Sequence, residues 1–426
     1  MVNTVKKDAA KLIMRDESFI CLTACLLIAA PSVISLFNHT VRSFIIIPFK
    51  LDTLFIYGIF LLIVLFSIKN ILSRSTLLIY SIIYFLLLAY LIAFMLNADY
   101  YQYYSNLGVD FLFGTAPWLL VGYAMRDYKV FKKYLHISAL IVLVSFIMNL
   151  FVFKVDVFDG YSYSQEYAYM LLPAAIIIAN RLFDRVRIFD VVVFLFSMIF
   201  MFSLGARGPM LCFALYIILK VLLMYKYNLI KTFLYYVSLM MISVFVITCF
   251  NDILSYLFTS FQKMSLSVRT IISLMEGNFF KDDARNLLTK YSIDLIRNHP
   301  LTGVGIGNDR ILLADKMRSI YFSSEVAGWY PHNIFMELLL HFGFFIGGAI
   351  ILYVLKLIYV STIKNTDTNA IDVICIFMGI GFFPLLFSGS YFESPSFFML
   401  IGLCLYQHKS YRLSKDNDVP NKAGDY

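Results

Sequence analysis

Apolar residues run along this chain in blocks long enough to cross a lipid bilayer, with polar residues gathered in the breaks between them. A spanning helix needs about 20 mainly apolar residues. Twelve blocks approach or exceed this, near 18–37, 53–68, 77–96, 107–125, 136–153, 167–180, 189–204, 209–225, 232–250, 334–360, 370–388 and 396–407. Helix is the expected form, because lipid offers backbone groups no partner and no alternating strand pattern is present. The pattern predicts an all-α, polytopic integral membrane protein with about 12 transmembrane helices. Residues 1–426 read as a single transmembrane domain, with a large loop at 251–333 and a polar tail at 408–426.

The basic residues choose a side. With the N-terminus in the cytoplasm, the cytoplasmic segments hold 22 of the 35 Lys and Arg, whereas the short outer loops hold only Arg42, Lys50, Lys154 and Arg207. Long loops are not counted for orientation, so both ends are expected in the cytoplasm. The leading MVNTVKKDAAKLIMRDES has no small-residue cleavage site and reads as the entry to a retained first span. The outer side then owns the tyrosine-rich NADYYQYYSN (97–106), the acidic VDVFDGYSYSQE (155–166) and the large loop. Within that loop, DDARNLLTKYSIDLIRNHP puts Leu288, Tyr291 and Leu295 at helical spacing, with Arg285, Thr289 and Ser292 on another face. This predicts an amphipathic helix lying at the outer interface.

Composition agrees. The chain is 61% hydrophobic and 15% charged, where soluble proteins run roughly 45–50% and about 25%, so a soluble enzyme is excluded. The net charge of +8 comes without a basic run interleaved with aromatics, and nucleic acid is not an expected partner. The six cysteines, at 21, 25, 212, 249, 375 and 404, show no pairing framework. No cluster of His, Cys and carboxylates stands at metal-ligand spacing, so neither metal nor cofactor is expected. GVGIGN (303–308) follows His299-Pro300 rather than a strand, and reads as a tight turn. His341 and Lys356 read as packing or snorkelling residues of the tenth block, and Asp416-Asn417-Asp418 as solvated tail.

Candidate chemistry gathers at the outer rim. Arg207, in SLGARGPM, offers paired donors and a permanent charge for phosphate, or it snorkels to lipid headgroups. Arg285 lies on the amphipathic helix, where a solvated arginine is the ordinary reading. His332, in Tyr-Pro-His-Asn before the tenth block, can accept a proton near neutral pH, or it packs at a helix entry. Glu337 follows inside the apolar run and needs a partner, for which Arg207, Arg285 or His332 would serve.

Three stretches, in order, resemble the O-antigen polymerase and O-antigen ligase superfamily of bacterial membrane glycosyltransferases: GARGPML, DARNLLTKYSIDLIRNHPLTGVGIGN, and PHNIFMELLLHFGFFIGG with Gly343 and Gly347. They cover roughly 200 to 350. The resemblance implies that Arg207 and Arg285 bind the diphosphate of a polyprenyl-linked oligosaccharide, and that His332 assists the acceptor hydroxyl, with Glu337 as a second base or as an orienter of His332. It implies no metal, an active site on the outer face of the bacterial inner membrane, and a flippase and a chain-length regulator as partners. SGSYFESPSFFMLIG (388–402) and Pro-His-Asn with Glu337 look more like polymerases, of O-antigen or capsule type, than like the ligases that move finished glycan onto lipid A-core. A transporter for the same lipid-linked glycan is the rival from another class, but it should carry its polar residues near the bilayer midplane.

Overall fold

The computed structural model describes residues 16–36, 64–149, 165–226, 229–263, 268–277, 283–321, 326 and 328–417. The acidic segment 155–164, the basic leader 1–15 and most of the block at 53–68 lie outside the described residues. In chain order the main helices are α1 (Asp16–Leu36), α2 (64–74), α3 (Leu77–Leu96), α4 (Tyr101–Val109), α5 (Ala116–Ala124), α6 (Tyr128–Ile147), α7 (Gln165–Asp184), α8 (Ile188–Ser203) and α9 (Arg207–Leu223). They continue with α10 (Leu229–Thr248), α11 (Phe250–Lys263), α12 (Arg269–Met275), α13 (Asp283–Asn298), α14 (Asn308–Tyr321), α15 (Ile334–Tyr359), α16 (Thr368–Phe377) and α17 (Pro395–Asn417). There is no strand among the described residues.

Among the described residues, six helical segments are long and apolar enough to cross a membrane: Asp16–Leu36, Leu77–Leu96, Ala98–Ala124, Tyr128–Ile147, Ile334–Lys364 and Thr368–Leu386. Their outward faces are apolar. Leu77 is 82% exposed and Phe345 68%, in a chain whose helices show many such residues where a soluble monomer rarely exposes a large contiguous apolar patch. The protein is an integral membrane protein.

Two compact units emerge from the packing. The first comprises residues 1–70, 126–281 and 378–384. Its α7 and α8 are tied by Arg181 to the buried Asp190 at 3.0 Å, and α7 to α9 by Tyr216 Oη donating to Asn180 at 3.1 Å. The Phe202, Leu254, Phe261 and Ile271 side chains close a smaller core under α11 and α12.

The second unit comprises residues 71–125, 282–377 and 385–426. At its centre α5 and α17 meet backbone to backbone. A Cβ on Gly122 would strike Met399 O, and one on Gly402 would strike Leu119 O, the small-residue contact that lets membrane helices approach closely. The tyrosine-rich segment expected as an outer loop is instead helical and runs through α4 into α5. Its aromatic rings find partners in the unit: Tyr104 is fully buried, and Tyr90 Oη donates to Tyr104 O at 2.6 Å.

The tenth block is one helix by sequence but two by geometry. Gly343 breaks α15 with φ 73° and ψ −179°, and the turn 299–307 docks into the break. Phe344 N donates to Pro300 O at 2.7 Å and Val304 N to Leu340 O at 2.6 Å, so backbone groups freed by the break are satisfied by the turn. GVGIGN is thus a tight turn, as expected, with positive φ at Gly303, Gly305 and Gly307.

The predicted amphipathic helix is α13, but its apolar stripe faces protein. Leu288 joins Leu313 and Met317 of α14 in a small core, with Tyr291, Leu295 and Trp329 against it. Ser292, placed by periodicity on the polar face, is fully buried.

Candidate functional site

Arg207 belongs to the first unit and Arg285, His332 and Glu337 to the second. Arg207 opens α9 directly after a turn at Gly205 (φ 71°). Gly208 lets Tyr169 approach, since a Cβ there would lie 2.5 Å from its hydroxyl. The guanidinium is half-buried at a helix N-terminus, which favours anions nearby. Arg285 sits in the first turn of α13, also half-buried.

Pro-His-Asn has a local physical logic. Asn333 caps α15, its Oδ1 accepting from Phe335 N at 3.0 Å and Met336 N at 3.3 Å, which satisfies two donors at the helix start. His332, immediately before the cap, has φ 51°, the one positive φ outside glycine among the described residues. That conformation costs on the order of 1 kcal/mol or more and persists where neighbours impose it. The imidazole packs on Tyr330, ring centroids 4.1 Å apart, so the strained backbone holds a half-buried ring in one place.

Tyr330 leads into a polar cluster that sequence spacing does not show. The Arg310 guanidinium lies 5.1 Å over the Tyr330 ring, and Gly389 N donates to Tyr330 Oη at 3.1 Å. Arg310, 4% exposed, is paired with Glu393. Beside it, His341 bridges Asp309 (Nε2 to Oδ1, 3.0 Å) and Tyr391 (Nδ1 to Oη, 2.8 Å). An ionised carboxylate only accepts, so Nε2 carries hydrogen toward Asp309. Burial pushes the Asp309 carboxyl up, but His341 and then Arg310 outweigh it and hold it below the usual carboxylate range. Burial, reinforced by Glu337 and Asp309, raises the Tyr391 phenol well above its ordinary value, which keeps the hydroxyl a donor.

Glu337 is fully buried, and its partners are not those expected. Ser390 Oγ donates to Oε1, and Tyr391 N donates to Oε2 at 3.1 Å. The carboxylate therefore anchors the 388–394 loop rather than pairing with His332 or Arg285. His341 is likewise no mere packing residue: it is the hub of the cluster. Asp309, Glu337 and His341 bring ligand-type atoms within 4.8 Å of one another, a grouping that linear spacing did not suggest because Asp309 comes from α14. Their hydrogen bonds to one another, to Tyr391 and to Ser390 account for the same geometry as a frame. The missed residues carried faint signals: His341 one turn after Glu337, Asp309-Arg310 straight after a glycine turn, and polar SGSYFES between apolar blocks.

Residues 192–353 match the family model described as O-antigen ligase. That segment is similar to the O-antigen ligase family over those residues. The matched segment contains Arg207, Arg285, Asp309, Arg310, His332, Glu337 and His341, and the three stretches whose resemblance was noted fall within it. It excludes the 388–394 loop that completes the cluster. No curated protein and no solved structure matches the chain.

Proposed function

We propose that the protein is a polysaccharide polymerase that joins polyprenyl-diphosphate-linked oligosaccharide repeat units at the outer face of the bacterial cytoplasmic membrane. Arg207 and Arg285 hold the donor diphosphate. His332 takes the proton from the acceptor hydroxyl as that oxygen bonds to the donor's anomeric carbon and the carbon–diphosphate bond breaks. A sugar hydroxyl is a poor nucleophile at neutral pH and gains from a base. The lipid diphosphate is a good leaving group whose growing charge two guanidiniums can stabilise without metal. Glu337 acts from behind, by fixing the 388–394 loop around Tyr330, on which the His332 ring packs.

The observation that carries this reading is the conformation of His332, a left-handed residue clamped between Pro331 and the Asn333 cap. Strain of this kind persists where structure over-determines it, and it clusters at working sites. About 12 spans, both termini in the cytoplasm and one transmembrane domain remain the topology that suits it, with 251–333 outside and 408–426 as the tail. A flippase and a chain-length regulator are the partners that this role requires. The family description favours one second reading, transfer of finished polymer to lipid A-core by a ligase.

Deleting the gene and analysing surface and lipid-linked glycan by gel and mass spectrometry separates the readings. Surface chains one repeat long are expected. Full-length polymer stranded on the carrier would mean ligase, single repeats trapped on the inner leaflet would mean a flippase, and an unchanged glycan profile would defeat all three.

A further inference from the structure

His332 has a fixed backbone, but a backbone does not fix a ring. The left-handed φ and the Asn333 cap set where its Cβ stands, yet the last side-chain torsion of a histidine is broad and roughly two-fold. Which ring nitrogen meets an acceptor hydroxyl is therefore decided by packing. The imidazole packs on Tyr330, with centroids 4.1 Å apart and planes at 49°. The Tyr330 ring has the same broad torsion, so it too needs holding. Gly389 N holds it at the hydroxyl, 3.1 Å away, and the Arg310 guanidinium lies 5.1 Å over its ring.

Arg310 is itself placed from several directions. Helix α14 opens at Asn308 after Gly307 (φ 81°), where a Cβ would stand 2.9 Å from Leu107 and 3.2 Å from Tyr104. Tyr103 Oη donates to Gly307 O at 3.3 Å, Asp309 is held by His341, and the guanidinium is paired with Glu393. A buried ion pair adds little stability, because the loss of hydration offsets the attraction. What a guanidinium offers that an apolar side chain of its size does not is a flat, permanent cation that packs on an aromatic face. We infer that Arg310 is a positioning residue: stacked on Tyr330 and anchored by Glu393, it holds the His332 ring in one orientation toward the acceptor. This deepens the polymerase reading and rests on it for what His332 does, though not for how the ring is held.

The test reads the ring first and turnover second. The full chain, purified in detergent, is treated with diethyl pyrocarbonate at about pH 8, where an imidazole of ordinary basicity is neutral. Peptide mass spectrometry then follows carbethoxylation of each histidine. In wild type the packed His332 should react slowly and the exposed His299 fast. Arg310→Met removes the cation and leaves behind a Glu393 that is 35% exposed and open to water. The rate at His332 should rise about fivefold, which is what the loss of one cation–π contact allows, while His299 keeps its rate. Tyr330→Leu should do the same, and Tyr330→Phe, which keeps the ring, should restore slow reaction. In elongation by the same preparations, kcat of Arg310→Met should fall about tenfold or more with KM little changed, because the buried Arg310 acts through Tyr330. A wild-type rate at His332 in Arg310→Met or in Tyr330→Leu would overturn the inference, and the two Tyr330 variants decide it alone if Arg310→Met does not fold. Faster reaction at His332 with unaltered kcat would uphold the stack and remove His332 as the base, a failure of the proposed function instead. A protein that shows the expected rates yet elongates no glycan would likewise uphold the stack and defeat the polymerase reading.

Discussion

Replacing Gly343 by Ala tests the geometry that brings α14 and α15 together. With φ 73° and ψ −179°, the position lies in a region that is essentially closed to residues with a Cβ, at a cost of about 1–3 kcal/mol. The new methyl would also run into Leu301 O and stand 2.9 Å from Gly303 N. Relieving that clash moves the turn 299–307 and breaks its two backbone hydrogen bonds, to Pro300 O and Leu340 O, each worth about 1 kcal/mol net. The expected destabilisation is therefore about 3–5 kcal/mol, a large share of the roughly 5–15 kcal/mol that holds a typical domain. Thermal unfolding of the purified protein in detergent reads it directly. Gly348→Ala on the same helix has open space and should be neutral or gain up to about 1 kcal/mol. If Gly343→Ala unfolds at the wild-type temperature, the docking of the turn into the helix break is not what stabilises this unit.

Arg285→Lys should lose most glycan elongation in a complementation assay, because a point charge lacks paired donors; normal polymer from both Arg285→Lys and Arg285→Ala would remove it from the site. Asn333→Ala should cost about 1 kcal/mol of stability and a larger share of activity, since the cap also fixes His332; unchanged turnover would detach the cap from catalysis. Chelation with EDTA should leave elongation by purified protein intact, whereas a loss reversed by added divalent ion would make Asp309, Glu337 and His341 a metal centre. The depressed Asp309 carboxyl contributes stability that is present above the ordinary value near pH 4 and is lost as pH falls through the folded value. The melting temperature should therefore drop on acidification below about pH 4, and Asp309→Asn should flatten that drop; identical slopes would disprove the linkage.

Much of the fold was legible because lipid imposes a simple code. Leu77–Leu96 was read to the residue, and the block expected from 334 opens as α15 at Ile334, where the structure shows Asn333 as its cap. Periodicity failed where a second helix supplied information that one helix cannot hold. Ser292 looks polar along α13 and is fully buried, on a helix that packs against α14. The tyrosines of 97–106 read as a loop by polarity, yet the segment is helical and the Tyr104 ring is buried against Tyr90. Arg285, His332 and Glu337 stood out as charges beside spans, whereas Asp309 and His341 did not, because their significance is a contact between residues far apart in the chain. The Glu337 partners were misjudged for the same reason: they arrive from the 388–394 loop, beyond α16.

That loop sets the boundary of any chimera. The family match ends at residue 353, but Glu337, His341 and Arg310 bond to Ser390, Tyr391 and Glu393 beyond it. A hybrid that exchanged only the family segment with a relative would bury a carboxylate, an imidazole and a guanidinium opposite a foreign loop. The unit of inheritance is longer than the unit of resemblance, and a graft that respects it must carry residues 388–394 along.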